Sequence, residues 1–168
     1  YQAGLAALPD SLLAARGLER LSERLGDRRS LVSSQLALAE LVHGSRARAG
    51  HLVRAAQILV DDPKSQAEAL GMFEEALRSD PDCEPAAQHL SRMLAGDVPR
   101  LIDRLGGALQ DATTNEQIML LGIEIARALL RQRDAGGAAA GIDANVGIEA
   151  MRKVLAVMPG DVTSLLLM

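Results

Sequence analysis

Apolar residues recur along this chain three and four positions apart, the spacing of one helix face, and glycine, proline or aspartate closes each run. Asp10 is placed to cap a first helix, with Leu12, Leu13, Leu18, Leu21 and Leu25 expected on its inner face and Gly26 as its stop. Asp27 caps a second helix, striped by Leu31, Leu38, Leu41 and Val42 and ending near Gly44. Ser45 opens a third, carrying Leu52, Ala55, Ala56 and Leu59, which Asp61-Asp62-Pro63 breaks. A fourth is expected from Lys64 to Ser79, with Ala69, Leu70, Phe73, Ala76 and Leu77 inward, and Asp80-Pro81-Asp82 ends it. A fifth spans Cys83 to Ala95 on Ala87, Leu90 and Leu94. Gly96 stops it and Asp97 caps a sixth, with Pro99 in its first turn and Leu101, Leu105, Ala108 and Leu109 inward. Thr113 or Thr114 caps a seventh, on Ile118, Leu121, Gly122, Ile125 and Leu129. Residues 133–143, rich in Gly and Ala, read as the long loop. An eighth helix follows from Ala144 to Met158, and Pro159-Gly160-Asp161 starts a ninth. Short connections between helices of similar length predict antiparallel pairs.

The pairs repeat. Ala69, Phe73, Ala76 and Leu77 match Leu101, Leu105, Ala108 and Leu109, and a third copy reads Gly147, Met151, Val154 and Leu155. The preceding helices align as Leu52-Ala55-Ala56-Leu59, Ala87-Leu90-Ser91-Leu94 and Ile118-Leu121-Gly122-Ile125. The small residue in the middle of each (Ala56, Ser91 or Gly122) leaves room for a paired helix backbone. This pattern resembles the tetratricopeptide repeat family, most closely over Gln66 to Asp82, which reads QAEALGMFEEALRSDPD. Leu or Ile stands where that family usually has Tyr. The resemblance implies an all-α, right-handed solenoid of α-hairpins, about four helix pairs long. Its expected divisions are a helix-pair region at 1–48, repeats at 49–83, 84–114 and 115–160, with the 133–143 loop inserted in the last, and a further helix beginning at 161–168. Tyr1 in place of an initiating Met, and the apolar end Ser164 to Met168, predict a fragment of a longer array.

Composition agrees with helices. Ala and Leu supply 28 residues each, and both favour helix strongly. The aromatics are Tyr1 and Phe73, so no stacking platform for bases or sugars can be built. A net charge of −4 argues against nucleic acid, whose partners are usually basic. No apolar run approaches a membrane span. One cysteine, Cys83, permits no internal disulfide. All but two of the 18 basic residues are arginine, which reads as coding bias rather than function.

No phosphate-binding glycine loop, His-Glu-x-x-His helix, Cys-x-x-Cys pair or nucleophile elbow occurs. His43, His51 and His89 are not spaced for a shared metal. Cys83 at a helix start, the Asp61-Asp62 pair, and the Asp80, Asp82 and Glu84 group read as turn chemistry rather than as a reactive thiol or cation sites. No catalytic residue, cofactor or metal is therefore expected, and the chain reads as a non-enzymatic module that binds another protein. In the family it resembles, first helices line a groove that takes a peptide or helix. The positions so implied are Val53, Arg54 and Gln57, then Gln88, His89 and Arg92, then Met119, Leu120 and Ile123. They lack the Lys/Asn/Arg clamp of the family's co-chaperone members, which argues against a receptor for chaperone tails. The alternatives are a structural segment of a large or self-associating assembly, and a regulatory arm of a larger ATPase or signalling protein.

Overall fold

A computed structural model of the chain describes residues 11–134 and 144–157. Its described elements are all helices: α1 (Leu12–Leu25), α2 (Arg28–Leu41), α3 (Ser45–Leu59), α4 (Gln66–Ser79), α5 (Glu84–Met93), α6 (Val98–Asp111), α7 (Asn115–Asp134) and α8 (Ala144–Val157). The fold is all-α. Asp10, the Gly/Ala stretch after Asp134, the Pro159-Gly160-Asp161 start and the Ser164–Met168 end lie outside the described residues. Arg133 and Asp134, expected in a loop over 133–143, are the last residues of α7.

Local chemistry sets the boundaries. Ser11 caps α1 by accepting from the Ala14 amide at 3.2 Å, and Gly26 ends it in the left-handed region at φ 66°. Asp27 accepts from both the amide and the hydroxyl of Ser30. Those bonds hold its carboxyl below the ordinary aspartate value. Asp97 takes the Arg100 amide in the same way. Thr114 and Gln117 form a reciprocal cap on α7. The Thr114 hydroxyl accepts from the Gln117 amide at 3.2 Å, and Oε1 of Gln117 accepts from the Thr114 amide at 3.1 Å.

The chain divides into two compact units, residues 1–83 and 84–168. In the first, α1 packs on α2, α2 on α3, and α3 on α4. Arg28, at the start of α2, donates to the carbonyl of Ile58 at the end of α3. Arg48, near the start of α3, bridges Glu40 late in α2 at 3.1 Å and Glu75 late in α4 at 3.2 Å. These cross-links run start to end, so the neighbouring helices are antiparallel. In the second unit α7 packs on α5, α6 and α8, and α6 also meets α8. Lys153 of α8 donates to the carbonyl of Leu109, near the end of α6, at 3.3 Å.

The repeat positions Ala69, Phe73, Ala76 and Leu77 are all buried, as are Leu101, Leu105, Leu109, Met151 and Val154. Ala108, Leu155, Leu59, Ile118 and Leu129 are half-buried. The first two helices depart further from expectation. Of the five leucines assigned to the inner face of α1, only Leu18 is buried; Leu13 is 85% exposed and Leu25 71%, with Leu12 and Leu21 also exposed. The face that meets the core is instead Ala15, Leu18, Glu19 and Ser22. In α2 the buried face is Ser30, Val32, Ser34, Gln35, Leu38 and Ala39, while Leu31, Leu41 and Val42 sit at its margins. Small side chains let these helices approach, and the larger leucines are turned aside.

The closest approach is at Gly122, where an added Cβ would lie 2.0 Å from Cγ2 of Val154. Alanine gains roughly 1 kcal/mol of helix propensity over glycine, but overpacking a filled site costs about 1–3 kcal/mol. Gly122→Ala is therefore expected to lower the urea midpoint, and in a Val154→Ala background the same change is expected to raise it. Phe73 is fully buried, so Phe73→Ala is expected to cost about 3–5 kcal/mol in the same measurement.

Candidate functional site

The first unit buries a chain of polar side chains across three helices. Glu19 lies on α1, Gln35 on α2 and His51 on α3, each 16 residues from the last. Nε2 of Gln35 donates to Oε1 of Glu19 at 2.7 Å. Nδ1 of His51 lies 2.8 Å from Oε1 of Gln35. On the outer side Arg16 donates to Oε2 of Glu19 at 3.0 Å. A carboxylate can only accept, so Gln35 must turn its amide N–H towards Glu19. Its carbonyl oxygen then faces His51, and Nδ1 of His51 carries the proton.

Burial pushes His51 below its ordinary value of 6.5, and the charges of Arg16 and Arg54 push it the same way against the attraction of Glu19. Burial pulls Glu19 upward, but the hydrogen bonds of Arg16 and Gln35, with the charges of Arg16 and His51, outweigh it and hold the carboxyl below its ordinary value. Near neutral pH the chain is thus carboxylate, amide and neutral imidazole.

Gln35 also belongs to the wall of an open groove of about 280 Å³, lined with Glu23, Leu31, Arg54, Gln57 and Ile58. The groove offers the carboxylate of Glu23, the guanidinium of Arg54 and the amide of Gln57 beside an apolar wall, and Gln35, 3% exposed, closes its floor.

The residues singled out from the sequence divide among three places. Arg54 and Gln57 are exposed and share this groove. Val53 beside them is 6% exposed and belongs to the core, so it offers a ligand little surface. Gln88 and Arg92 lie along one face of α5, where Glu84 accepts from Gln88 at 2.8 Å and Gln88 accepts from Arg92 at 3.4 Å. His89 is half-buried, and burial followed by the Arg92 charge lowers its pKa. Met119, Leu120 and Ile123 are half-buried on α7. Sequence reasoning missed Glu19, Gln35 and His51 as a set; their equal spacing gains meaning only once the three helices are packed.

Two further features bear on chemistry. Ser91, the small residue of α5, donates to Glu124 at 2.7 Å, and Arg127 pairs with the same carboxylate at 2.7 Å. Cys83 is buried at the turn before α5, its amide bonded to the carbonyl of Asp80. Among the described residues no group of three or more His, Cys, Asp or Glu is arranged to hold a metal ion. No described helix is long and apolar enough to cross a membrane.

The lowered pKa of His51 fixes the sign of a pH effect. The unfolded chain takes up a proton at about pH 6.5, and the folded chain does so only at lower pH. Stability is therefore full above that value and is lost as pH falls through the folded value. The urea midpoint is expected to fall between about pH 7 and pH 5, and His51→Gln is expected to flatten that fall, leaving the share of His89, whose pKa is lowered in the same direction.

No protein-family model matches the chain, and no curated protein is significantly similar to it.

Proposed function

We propose that this chain is a protein-binding scaffold whose groove receives a peptide or helix of a partner. The observation that carries the reading is the open groove of the first unit. It gathers Arg54 and Gln57 of α3 with Glu23 of α1 and Leu31 and Gln35 of α2. Beneath it the Glu19–Gln35–His51 relay ties α1, α2 and α3 together, so the helices that carry the groove are set before a partner arrives. We propose further that the helix pairs form a right-handed, tetratricopeptide-like solenoid. Antiparallel neighbours, the contact of α6 with α8 two helices on, and the burial of the repeat positions support that arrangement. In the second unit we propose Gln88 and Arg92 on α5 as a surface of its own.

A second reading is a structural segment packed against other subunits of an assembly; the exposed leucines of α1 favour it. Light scattering separates the two. A mass constant with concentration supports the scaffold, and a mass that climbs supports self-assembly.

The groove is tested by placing a photo-crosslinking amino acid at Gln57 and identifying the protein it captures, then measuring that protein's affinity by calorimetry. Arg54→Ala with Gln57→Ala is expected to weaken binding about tenfold, a loss of about 1.4 kcal/mol, with helicity unchanged. Unchanged affinity in that variant would remove the groove from the account. Gln88→Ala with Arg92→Ala tests the α5 surface separately, and is expected to weaken partner capture there with helicity unchanged.

A further inference from the structure

Four leucines of α1 lie outside the core of the first unit: Leu12, Leu13, Leu21 and Leu25. At 100° per residue, Leu13, Gly17 and Leu21 lie on the outward side of the helix together with Arg20 and Arg24, and Leu25 adjoins them in the last turn. Both arginines are exposed. The acidic residues of α1 are elsewhere, Glu19 in the buried relay and Glu23 in the groove wall. The outward face of α1 is therefore apolar and cationic, on a chain whose net charge is −4. We propose that this face docks an amphipathic helix of a partner protein, one that carries carboxylates beside its own apolar stripe.

Charge decides among the possible occupants. In a symmetric pairing of two copies this face would meet itself, setting Arg20 and Arg24 against their own equivalents. A helix that binds an anionic lipid surface carries a cluster of about 4–8 basic residues, and the outward face of α1 carries only Arg20 and Arg24. An acidic amphipathic helix satisfies both parts of the patch. Its apolar residues cover the leucines, and its carboxylates meet guanidinium groups that hold their charge at any physiological pH.

The probe is a labelled synthetic helix with a leucine face flanked by glutamates. Its sister peptide has lysine at the same places. Fluorescence anisotropy with the full chain is expected to show the acidic peptide binding about tenfold tighter than its sister or better. Arg20→Glu with Arg24→Glu is expected to reverse that preference. Leu21→Asp with Leu25→Asp is expected to abolish binding of either peptide. Both pairs are exposed, and circular dichroism confirms their folding. Arg54→Ala with Gln57→Ala is expected to leave the affinity unchanged, which keeps this surface distinct from the groove. Equal binding of the two peptides, or binding of neither, overturns the proposal. A mass that doubles with concentration and is restored by Leu25→Asp assigns the face to a second copy. Cosedimentation with phosphatidylserine vesicles, without peptide binding, assigns it to a lipid surface. Either result also overturns the proposal.

Discussion

Helices joined by short turns lie against one another along most of their length, and the side chains between them decide how near they come. In the first unit many of those side chains are small. Ala15 and Ser22 on α1, Ser34 and Ala39 on α2, Ala55 and Ala56 on α3, and Ala69 and Ala76 on α4 lie on the buried faces. In the second unit Gly122 takes the same principle to its limit, since Val154 fills the space where its Cβ would be. Large residues such as Leu38, Phe73, Leu101, Leu105 and Ile125 fill the rest of the two cores.

Alanine and serine seams pack closely but specify alignment weakly, because one small residue resembles the next. The Glu19–Gln35–His51 relay supplies what they lack. A slip of α2 by one helical turn moves Gln35 by about 5.4 Å, which breaks both hydrogen bonds and leaves Glu19 with Arg16 alone. The burial of these polar groups is thus tied to the register of three helices at once. A buried polar group left without its partner costs more than a satisfied one contributes. The relay is best understood as a penalty on wrong alignments rather than as a large source of stability.

Boundaries were legible in the sequence because they depend on neighbours in the chain. Asp27, Asp97, Thr114 and Gly26 act where they stand, through bonds spanning a few residues. The direction of a helix face was less legible. The leucines of α1 mark it as amphipathic, but which side meets α2 depends on what α2 presents, and α2 presents serine, alanine and glutamine. The repeat positions singled out Arg54 and Gln57, which the fold leaves exposed, and Val53, which it buries. Glu19, Gln35 and His51 were not legible as a set, because no local motif joins them and their pairing exists only once three helices are packed.

The middle member of the relay has a consequence for how such a chain drifts over generations. Gln35 serves a carboxylate with one end of its amide and an imidazole with the other. An apolar replacement orphans both partners, and an acidic one sets two carboxylates face to face. Changes at Glu19 or His51 leave the amide half-satisfied. Replacement one step at a time therefore passes through a destabilised intermediate at every branch, and positions 19, 35 and 51 are expected to be inherited as a unit or exchanged together.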